Sequence, residues 1–228
     1  MNIIDAPSPN FDARGANIDT VILHYTGMQT GAEALARLQS AEARVSAHYL
    51  VEENGDVYHL VDERMRAWHA GVSSWKSEGD INARSIGIEI VNPGHEWGYR
   101  DFPDVQIASV MELLKDIRTR HNIRPARVLG HSDVAPRRKE DPGEKFPWGR
   151  LAKEGLAIAP YEGSAEAGLS VSYEDALTAL YEIGYDAPKG DHGAALLAFQ
   201  RRFCPESLGQ GFDPRTKAAL IETQKMLP

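Results

Sequence analysis

The chain has 228 residues, 42% of them hydrophobic and 25% charged, a composition typical of a globular protein with enough apolar material for its own core. Acidic residues outnumber basic ones by 33 to 25, and the net charge of −8 argues against nucleic acid or an anionic membrane as a partner. No apolar run approaches the roughly 18 residues of a membrane span. The chain begins without the basic and apolar segments of a secretion signal, which predicts a cytoplasmic protein. Because the chain has a single cysteine, Cys204, a disulfide scaffold and a thiolate metal site are excluded. The sequence reveals no role for Cys204. A metal would therefore need imidazole and carboxylate ligands.

Strands and helices alternate over residues 1–158. Apolar runs and helical spacing predict a strand, a helix, a hairpin turning at Asn54-Gly55, a second strand, a long helix and a third strand. Their ranges are Thr20–Tyr25, Ala32–Gln39, His48–Val61, Ser85–Val91, Pro103–Arg120 and Ala126–Gly130. Asn122 follows the long helix where a left-handed cap would fit. This order predicts an α/β fold, a mixed central sheet flanked by helices.

Residues 171–228 predict a small three-helix domain, joined to the first part by a linker at 159–170. The linker contains small and weakly apolar residues with no helical or strand period. Ser172 can cap the first helix, Leu196–Phe203 belong to the second, and Asp213-Pro214 opens a third that runs through Leu220.

Two histidines follow apolar strands and could converge on one ion. His24 ends the run VILHY, and His131 comes directly after VLG. Strand ends are where sheets place their sites, although a lone histidine there is more often structural. A third ligand could be Asp133, Glu140 or Asp141, and the spacing does not choose among them. Two imidazoles and one carboxylate would leave the fourth position of a zinc ion open for water.

Glu89 stands out because it interrupts an apolar strand. In SIGIEIV, Ile86, Ile88 and Ile90 share one face, and Gly87 and Glu89 share the other. The residue is either a solvent-facing carboxylate on an exposed face or a general base aimed at a water in a pocket.

The segment RAWHAG concentrates an aromatic ring and an imidazole. Trp68 is either a core residue or a platform for a sugar or peptide, and His69 either a polar rim residue or part of a substrate groove. The remaining histidines are weaker candidates or surface residues: His48, His59, His95, His121 and His192.

Five motifs in this order resemble a known family. VILHYT, VSAHYLVEENGDVYHLV, RAWHAG, NARSIGIE and LGHSDVAPRRKEDPG resemble those of zinc-dependent N-acetylmuramoyl-L-alanine amidases of the amidase-2 type, the AmpD/AmiD group, which are relatives of peptidoglycan recognition proteins. The resemblance covers roughly residues 15–155. In the last part of the chain, LLAFQRRF and GFDPRTKAAL are similar to a three-helix peptidoglycan-binding module.

The resemblance implies roles that the spacing leaves open. It implies one zinc ion per chain, held by His24, His131 and Asp141, with Glu89 and Lys139 as the catalytic glutamate and lysine.

It also implies that Tyr49, Trp68, His69 and Asn82 lie around the substrate groove. The expected reaction is hydrolysis of the amide between N-acetylmuramic acid and L-alanine, in peptidoglycan or in muropeptides. A peptidoglycan-binding module favours the periplasm or the cell wall as the alternative location. The rival hypotheses are a non-catalytic peptidoglycan recognition protein, which typically lacks a zinc ligand, and an unrelated zinc peptidase.

Overall fold

The structure is a computed structural model that describes residues 2–187 and 191–227. Within these ranges there are eight strands: β1 (Ile3–Asp5), β2 (Phe11–Ala13), β3 (Thr20–Tyr25), β4 (Tyr49–Val51), β5 (Val57–His59), β6 (Met65–Ala67), β7 (Ser85–Ile90) and β8 (Val128–Gly130). The α-helices of the same ranges are α1 (Gly31–Gln39), α2 (Ile81–Arg84), α3 (Gly94–Trp97), α4 (Asp104–His121), α5 (His131–Val134), α6 (Trp148–Lys153), α7 (Tyr173–Ile183), α8 (Gly193–Phe203) and α9 (Pro214–Met226). No helix in the described ranges is both long and apolar enough to cross a bilayer.

Six strands form one mixed sheet in the order β1-β5-β4-β7-β3-β8. The strands β4, β7, β3 and β8 are parallel to one another, whereas β5 pairs antiparallel with β4. The strands β2 and β6 form a separate antiparallel pair. The predicted mixed α/β sheet flanked by helices is confirmed.

The two faces of the sheet pack against different helices. Helix α4 packs Val110 and Leu114 into the same apolar cluster as Val21 of β3 and Ile88 of β7. On the opposite face, Ile22 of β3 joins a second cluster that also contains side chains of α7, α8 and α9. Because side chains alternate along a strand, His24 lies on the face of Ile22, away from α4.

Most predicted elements are confirmed with small shifts. Helix α1 begins after Thr30, whose hydroxyl accepts from the Glu33 backbone N–H, and α4 ends at Asn122 in the left-handed conformation (φ 52°). The hairpin β4–β5 is present, with shorter strands than the sequence predicts and with Gly55 at φ 89° in its turn. The sequence did not indicate β1, β2 or β6, each of which has three residues.

The three C-terminal helices are also present. Ser172 caps α7 and Asp213 caps α9, as the sequence predicts, and α9 extends beyond Leu220 to Met226.

The segment 159–170 is packed against these helices. Tyr161 is buried and its backbone N–H donates to Phe203, while Arg215 donates to the carbonyls of Tyr161 and Gly163. The segment predicted as a linker therefore continues the packed structure rather than crossing open solvent.

Candidate metal centre and active site

Three parallel neighbouring strands bring the candidate residues to one place. His24 of β3 is the register partner of Glu89 on β7. On the other side of β3, Leu23 pairs with Gly130 at the end of β8, so that His131 follows directly beside His24. The carboxyl ends of parallel strands meet at one edge of a sheet, which is why residues so far apart in sequence converge here.

Two imidazoles and one carboxylate face a common point. Nδ1 of His24 lies 2.9 Å from Nδ1 of His131, and each nitrogen lies 3.0 Å from Oδ2 of Asp141. All three residues are buried, and among the described residues they form the one His/Cys/Asp/Glu group compact enough for a metal ion.

A chain of hydrogen bonds sets the proton positions on His24. The hydroxyl of Ser85 donates to the Ile81 carbonyl (2.6 Å), so Ser85 Oγ accepts from Nε2 of His69 (3.1 Å). Burial, with the neighbouring charge of His24, lowers the pKa of His69 well below its usual value, so the ring is neutral and its Nδ1 is an acceptor. That nitrogen accepts from Nε2 of His24 (3.0 Å), which leaves Nδ1 of His24 unprotonated.

The second imidazole is oriented in the same way. Nε2 of His131 donates to the backbone carbonyl of Ala70 (3.1 Å), so that its Nδ1 also presents a lone pair. Such outer hydrogen bonds to a carbonyl or another side chain are typical of metal-binding histidines.

The donor set fits a cation. Burial opposes ionisation of Asp141, but His131 and His24 outweigh it and hold its pKa well below the ordinary value. Burial, followed by the charge of His131, lowers the pKa of His24 to about 4. Two unprotonated nitrogens and an ionised carboxylate that face one point repel one another, and a cation between them removes that repulsion. Imidazole and carboxylate ligands suit zinc.

Glu89 faces the same cavity beside this group. Its Oε2 is buried and has no hydrogen-bond partner among the residues that the structure describes. Burial, with the nearby negative charge of Asp141, raises the pKa of Glu89 to about 8, while the charge of Lys139 acts in the opposite direction. A carboxyl group tuned to this range can both accept and release a proton near neutral pH.

The other two acids that the spacing left open have different partners. Asp133 is completely buried and accepts from the Gly130 backbone N–H, the Tyr185 hydroxyl and Arg202. Glu140 is exposed and pairs with Arg201 (2.7 Å). Of the three acids, Asp141 alone has an oxygen beside both imidazoles.

The structure places Trp68 and Lys139 in the wall of the cavity, which has a volume of about 430 Å³. His69 lines the cavity as well, but its ring contacts His24. Asn82 is buried, and its Oδ1 accepts from the backbone N–H groups of His69 (3.1 Å) and Ala70 (2.8 Å). Asn82 therefore supports the segment that carries His69 rather than lining the cavity.

Tyr49 does not reach this site. In the register of β4 with β7, Tyr49 is paired with Ile88, and it packs in the same cluster as Ile88, on the face covered by α4. Its hydroxyl donates to Glu63 (2.8 Å), away from the cavity. The position of Tyr49 therefore gives no support to its predicted contact with substrate.

Sequence reasoning missed several residues at the rim. Tyr25 lines the cavity together with His95, which the sequence placed on the surface, and its hydroxyl lies 2.9 Å from Nδ1 of His95. Arg37 of α1 and Arg138 also line it. These residues come from a strand, two helices and a loop that are distant in sequence, so no local pattern could have grouped them.

The comparisons with known proteins agree with this arrangement. A family model described as N-acetylmuramoyl-L-alanine amidase matches residues 14–144. The chain is also 34% identical to the N-acetylmuramoyl-L-alanine amidase AmiD of Escherichia coli K12, over 90% of this chain and 83% of AmiD. This chain belongs to the N-acetylmuramoyl-L-alanine amidase family. The resemblance found in the sequence is thereby confirmed.

Other members of this amidase family are similar over part or nearly all of the chain. The 1,6-anhydro-N-acetylmuramyl-L-alanine amidase AmpD of Haemophilus influenzae is 40% identical over 48% of this chain and 58% of its own length. The structure of AmiD in complex with anhydro-N-acetylmuramic acid-L-Ala-D-γ-Glu-L-Lys superposes with a TM-score of 0.81 at 31% identity, over 94% of this chain and 92% of AmiD. AmpDh3 of Pseudomonas aeruginosa in complex with anhydromuramic pentapeptide has a TM-score of 0.84 at 31% identity, over 94% of each chain.

Proposed function

We propose that this family member is a zinc-dependent amidase that hydrolyses the bond between the lactyl group of N-acetylmuramic acid and the L-alanine of the stem peptide. One observation carries the proposal: the lone pairs of His24, His131 and Asp141 converge beside the unpartnered carboxylate of Glu89.

A zinc ion held by His24, His131 and Asp141 would supply Lewis-acid activation of a water molecule and of the scissile carbonyl. The protein's own part is to keep both imidazoles in the tautomer that presents Nδ1. It does so through His69 and the Ala70 carbonyl, which orient His24 and His131 from behind.

Glu89 moves the proton in this mechanism. Its carboxyl group faces the cavity beside the ligand set, where it can take a proton from the attacking water and deliver that proton to the departing amine nitrogen. The new C–O bond forms first and places negative charge on the carbonyl oxygen, and the amide C–N bond then breaks as Glu89 protonates the departing nitrogen. The products are a lactyl carboxylic acid, which loses its remaining proton at neutral pH, and a free amine on L-alanine.

Lys139 supplies positive charge in the wall of the cavity. It lines the cavity together with Asp141, two residues further along the chain. We assign it to stabilisation of the oxyanion that develops on the scissile carbonyl, a contribution that is typically worth about 10²–10³ in rate.

The substrate class follows from the relatives. AmiD and AmpDh3 have been observed with anhydromuramic peptides, and we propose a muropeptide or the corresponding unit of peptidoglycan for this chain. We assign substrate contact to Trp68, which lines the cavity, and positioning of His24 to His69 and of the 69–70 backbone to Asn82.

We further propose that residues 171–228 bind the peptidoglycan polymer, as their resemblance to a binding module implies. An aromatic cluster at the N-terminal ends of these helices supports this role. Tyr173 is 42% exposed, its ring centroid lies 5.0 Å from that of Phe212, and both rings contact His192. Exposed aromatic faces can stack on sugar rings.

The reaction can be tested with a defined anhydro-muramyl tripeptide and mass spectrometry of the products. We expect release of a peptide with a free L-alanine amine, loss of activity with a chelator and recovery with zinc. The variant Glu89→Gln should bind zinc and substrate as the wild type does but turn over about 10²–10⁴ times more slowly.

Other outcomes would assign other functions. Binding without cleavage would favour the recognition-protein hypothesis, and cleavage inside the peptide would favour a zinc peptidase. Near-normal turnover by Glu89→Gln would remove Glu89 from the mechanism.

Two locations fit the reaction. Soluble muropeptides would be met in the cytoplasm, and the intact polymer in the periplasm or cell wall. Fractionation of cells that produce the chain distinguishes the two.

A further inference from the structure

The C-terminal helices reach into the segment that carries two of the three proposed metal ligands. Asp133, in α5, is completely buried and accepts three hydrogen bonds. One comes from the Gly130 backbone N–H (2.8 Å), one from the Tyr185 hydroxyl (2.6 Å) and one from Arg202 (2.5 Å). Two of these three donors belong to the C-terminal part of the chain.

Arg202 is held on several sides by the part of the chain that bears the active site. Only 4% of its side chain is exposed. It donates to the Val128 carbonyl of β8 (3.0 Å) as well as to Asp133, and its guanidinium lies 4.2 Å from the ring centroid of Trp148. A planar guanidinium enclosed in this way fixes the direction of both hydrogen bonds.

Asp133 is connected to both ligands of its segment. His131 is the first residue of the short helix α5, in which Asp133 is the third. The backbone N–H of Ser132, between them, donates to the backbone carbonyl of Asp141 (2.9 Å). Side chains that fix the position of Asp133 therefore also fix the backbone of His131, which is in the same helix. They fix the backbone of Asp141 through the hydrogen bond from Ser132.

A second contact acts on the other end of the segment. Arg201, adjacent to Arg202 on α8, donates to Glu140 (2.7 Å), the residue before Asp141. Helix α8 thus contacts both the beginning and the end of residues 131–141.

We infer that Tyr185 and Arg202 are positioning residues that act through Asp133 to set the geometry of the metal-binding segment, so that the C-terminal helices are part of the metal centre as well as a candidate binding module. The inference rests on the proposed metal site. It predicts that these helices affect metal affinity. A module that only binds the polymer would not affect it.

The test uses the full chain and measures metal affinity directly. Tyr185→Phe removes one hydroxyl and keeps the ring that packs against Trp75 and Phe199. We expect zinc affinity, measured by competition with a chromogenic chelator, to fall about tenfold, the lower end of the range for residues that support metal ligands. Turnover at saturating zinc should fall less.

Thr216→Val is the matched control. This variant also removes a buried hydroxyl from the C-terminal helices. That hydroxyl accepts from Gln200 (2.9 Å) and is not one of the three donors to Asp133. Its melting temperature should fall like that of Tyr185→Phe, but its zinc affinity should equal that of the wild type. Equal zinc affinities for Tyr185→Phe, Thr216→Val and the wild type would overturn the inference.

Arg202→Lys provides a second variant, since it keeps the charge and loses the paired hydrogen bonds. Weaker zinc binding by a folded Arg202→Lys protein supports the inference, and unchanged binding contradicts it. If the wild type bound no zinc, the proposed function itself would fail. If the wild type binds zinc and hydrolyses its substrate while these variants keep full affinity, the positioning role alone is wrong.

Discussion

His48, which directly precedes β4, is a completely buried histidine that is not one of the proposed metal ligands. Its Nδ1 accepts from the Gly87 backbone N–H (3.0 Å), and its Nε2 donates to the Met65 carbonyl (3.1 Å). Burial lowers the pKa of His48 to about 3 and the charge of Arg14 adds to this, although the hydrogen bond to Met65 opposes it. The folded protein therefore keeps this ring neutral.

The neutral ring makes stability depend on pH. In the unfolded chain a histidine has a pKa of about 6.5, so between about pH 6.5 and 3 the unfolded state binds a proton that the folded state does not. The contribution of His48 is fully present above this window and is lost as the pH falls through it. We expect His48→Gln to reduce the slope of unfolding free energy against pH, between pH 6 and 4, by up to about 1.4 kcal/mol per pH unit.

Urea unfolding at a series of pH values measures this slope, and His59→Gln, at a half-buried position of the same hairpin, serves as the control. Parallel curves for wild type and His48→Gln would show that His48 does not titrate differently in the two states.

At the level of single residues, the sequence indicated the right kinds of side chain but not their partners. Spacing could not choose among Asp133, Glu140 and Asp141, because partners of the first two come from distant parts of the chain. Tyr185 and Arg202 lie 52 and 69 positions from Asp133, and Arg201 lies 61 positions from Glu140. Family resemblance implies Asp141, which remains a prediction; its Oδ2 lies 3.0 Å from Nδ1 of each imidazole.

At the level of elements, strand β7 presents two different faces. Ile86 and Ile88 pack toward α4, while Glu89 lines the cavity and Gly87 lies on the same face of the strand. A Cβ at Gly87 would lie 2.4 Å from the ring of His69, so the glycine makes room for the imidazole that orients His24.

Replacement of this glycine should therefore damage the metal centre. We expect Gly87→Ala to displace His69, to lower zinc affinity about tenfold or more and to destabilise the fold by about 1–3 kcal/mol. Chelator competition and thermal unfolding measure the two effects. Gly149→Ala in α6 is the control, since its Cβ would have no heavy atom within 4 Å. Normal zinc affinity in Gly87→Ala would mean that His69 does not set the position of His24.

The elements that the sequence predicted well are those with long periodic patterns, such as α4 and β7. The missed strands β1, β2 and β6 are too short for a period to be visible, and their partners are distant: Ile3 pairs with Val57, and Phe11 with Ala67. Tyr49 shows the same limit, because its face depends on the register of β4 with β7.

At the level of the whole molecule, binding of polymer and cleavage of the amide can be separated. Tyr173→Ala removes the exposed ring of the aromatic cluster on the C-terminal helices. We expect retention of the protein on insoluble peptidoglycan to fall several-fold, while kcat and KM for a soluble muropeptide stay unchanged, because the ring does not line the active-site cavity.

Leu169→Ala, at an exposed apolar position shortly before α7 and outside the aromatic cluster, is the control. Unchanged retention of Tyr173→Ala would exclude the aromatic cluster as the contact with the polymer.

The sequence indicated two parts and a connection, but not how closely they pack. Small and weakly apolar residues at 159–170 suggested a linker, because local composition does not reveal the burial of Tyr161 or the two bonds from Arg215. The apolar cluster that contains Ile22 and Phe199 joins both parts across one interface.

The pairing of His24 with Glu89 across β3 and β7 also bears on the order of assembly. His24 also meets the carboxylate of Asp141, 117 positions later in the chain. This contact requires a long loop to close, a step that is slow in folding. If the proposed ligand set is right, a growing chain could not hold a metal ion until Asp141 had been synthesised. A slip of one residue between β3 and β7 would turn His24 or Glu89 to the opposite face. Uptake of metal during refolding would therefore report that the central sheet has reached its correct register.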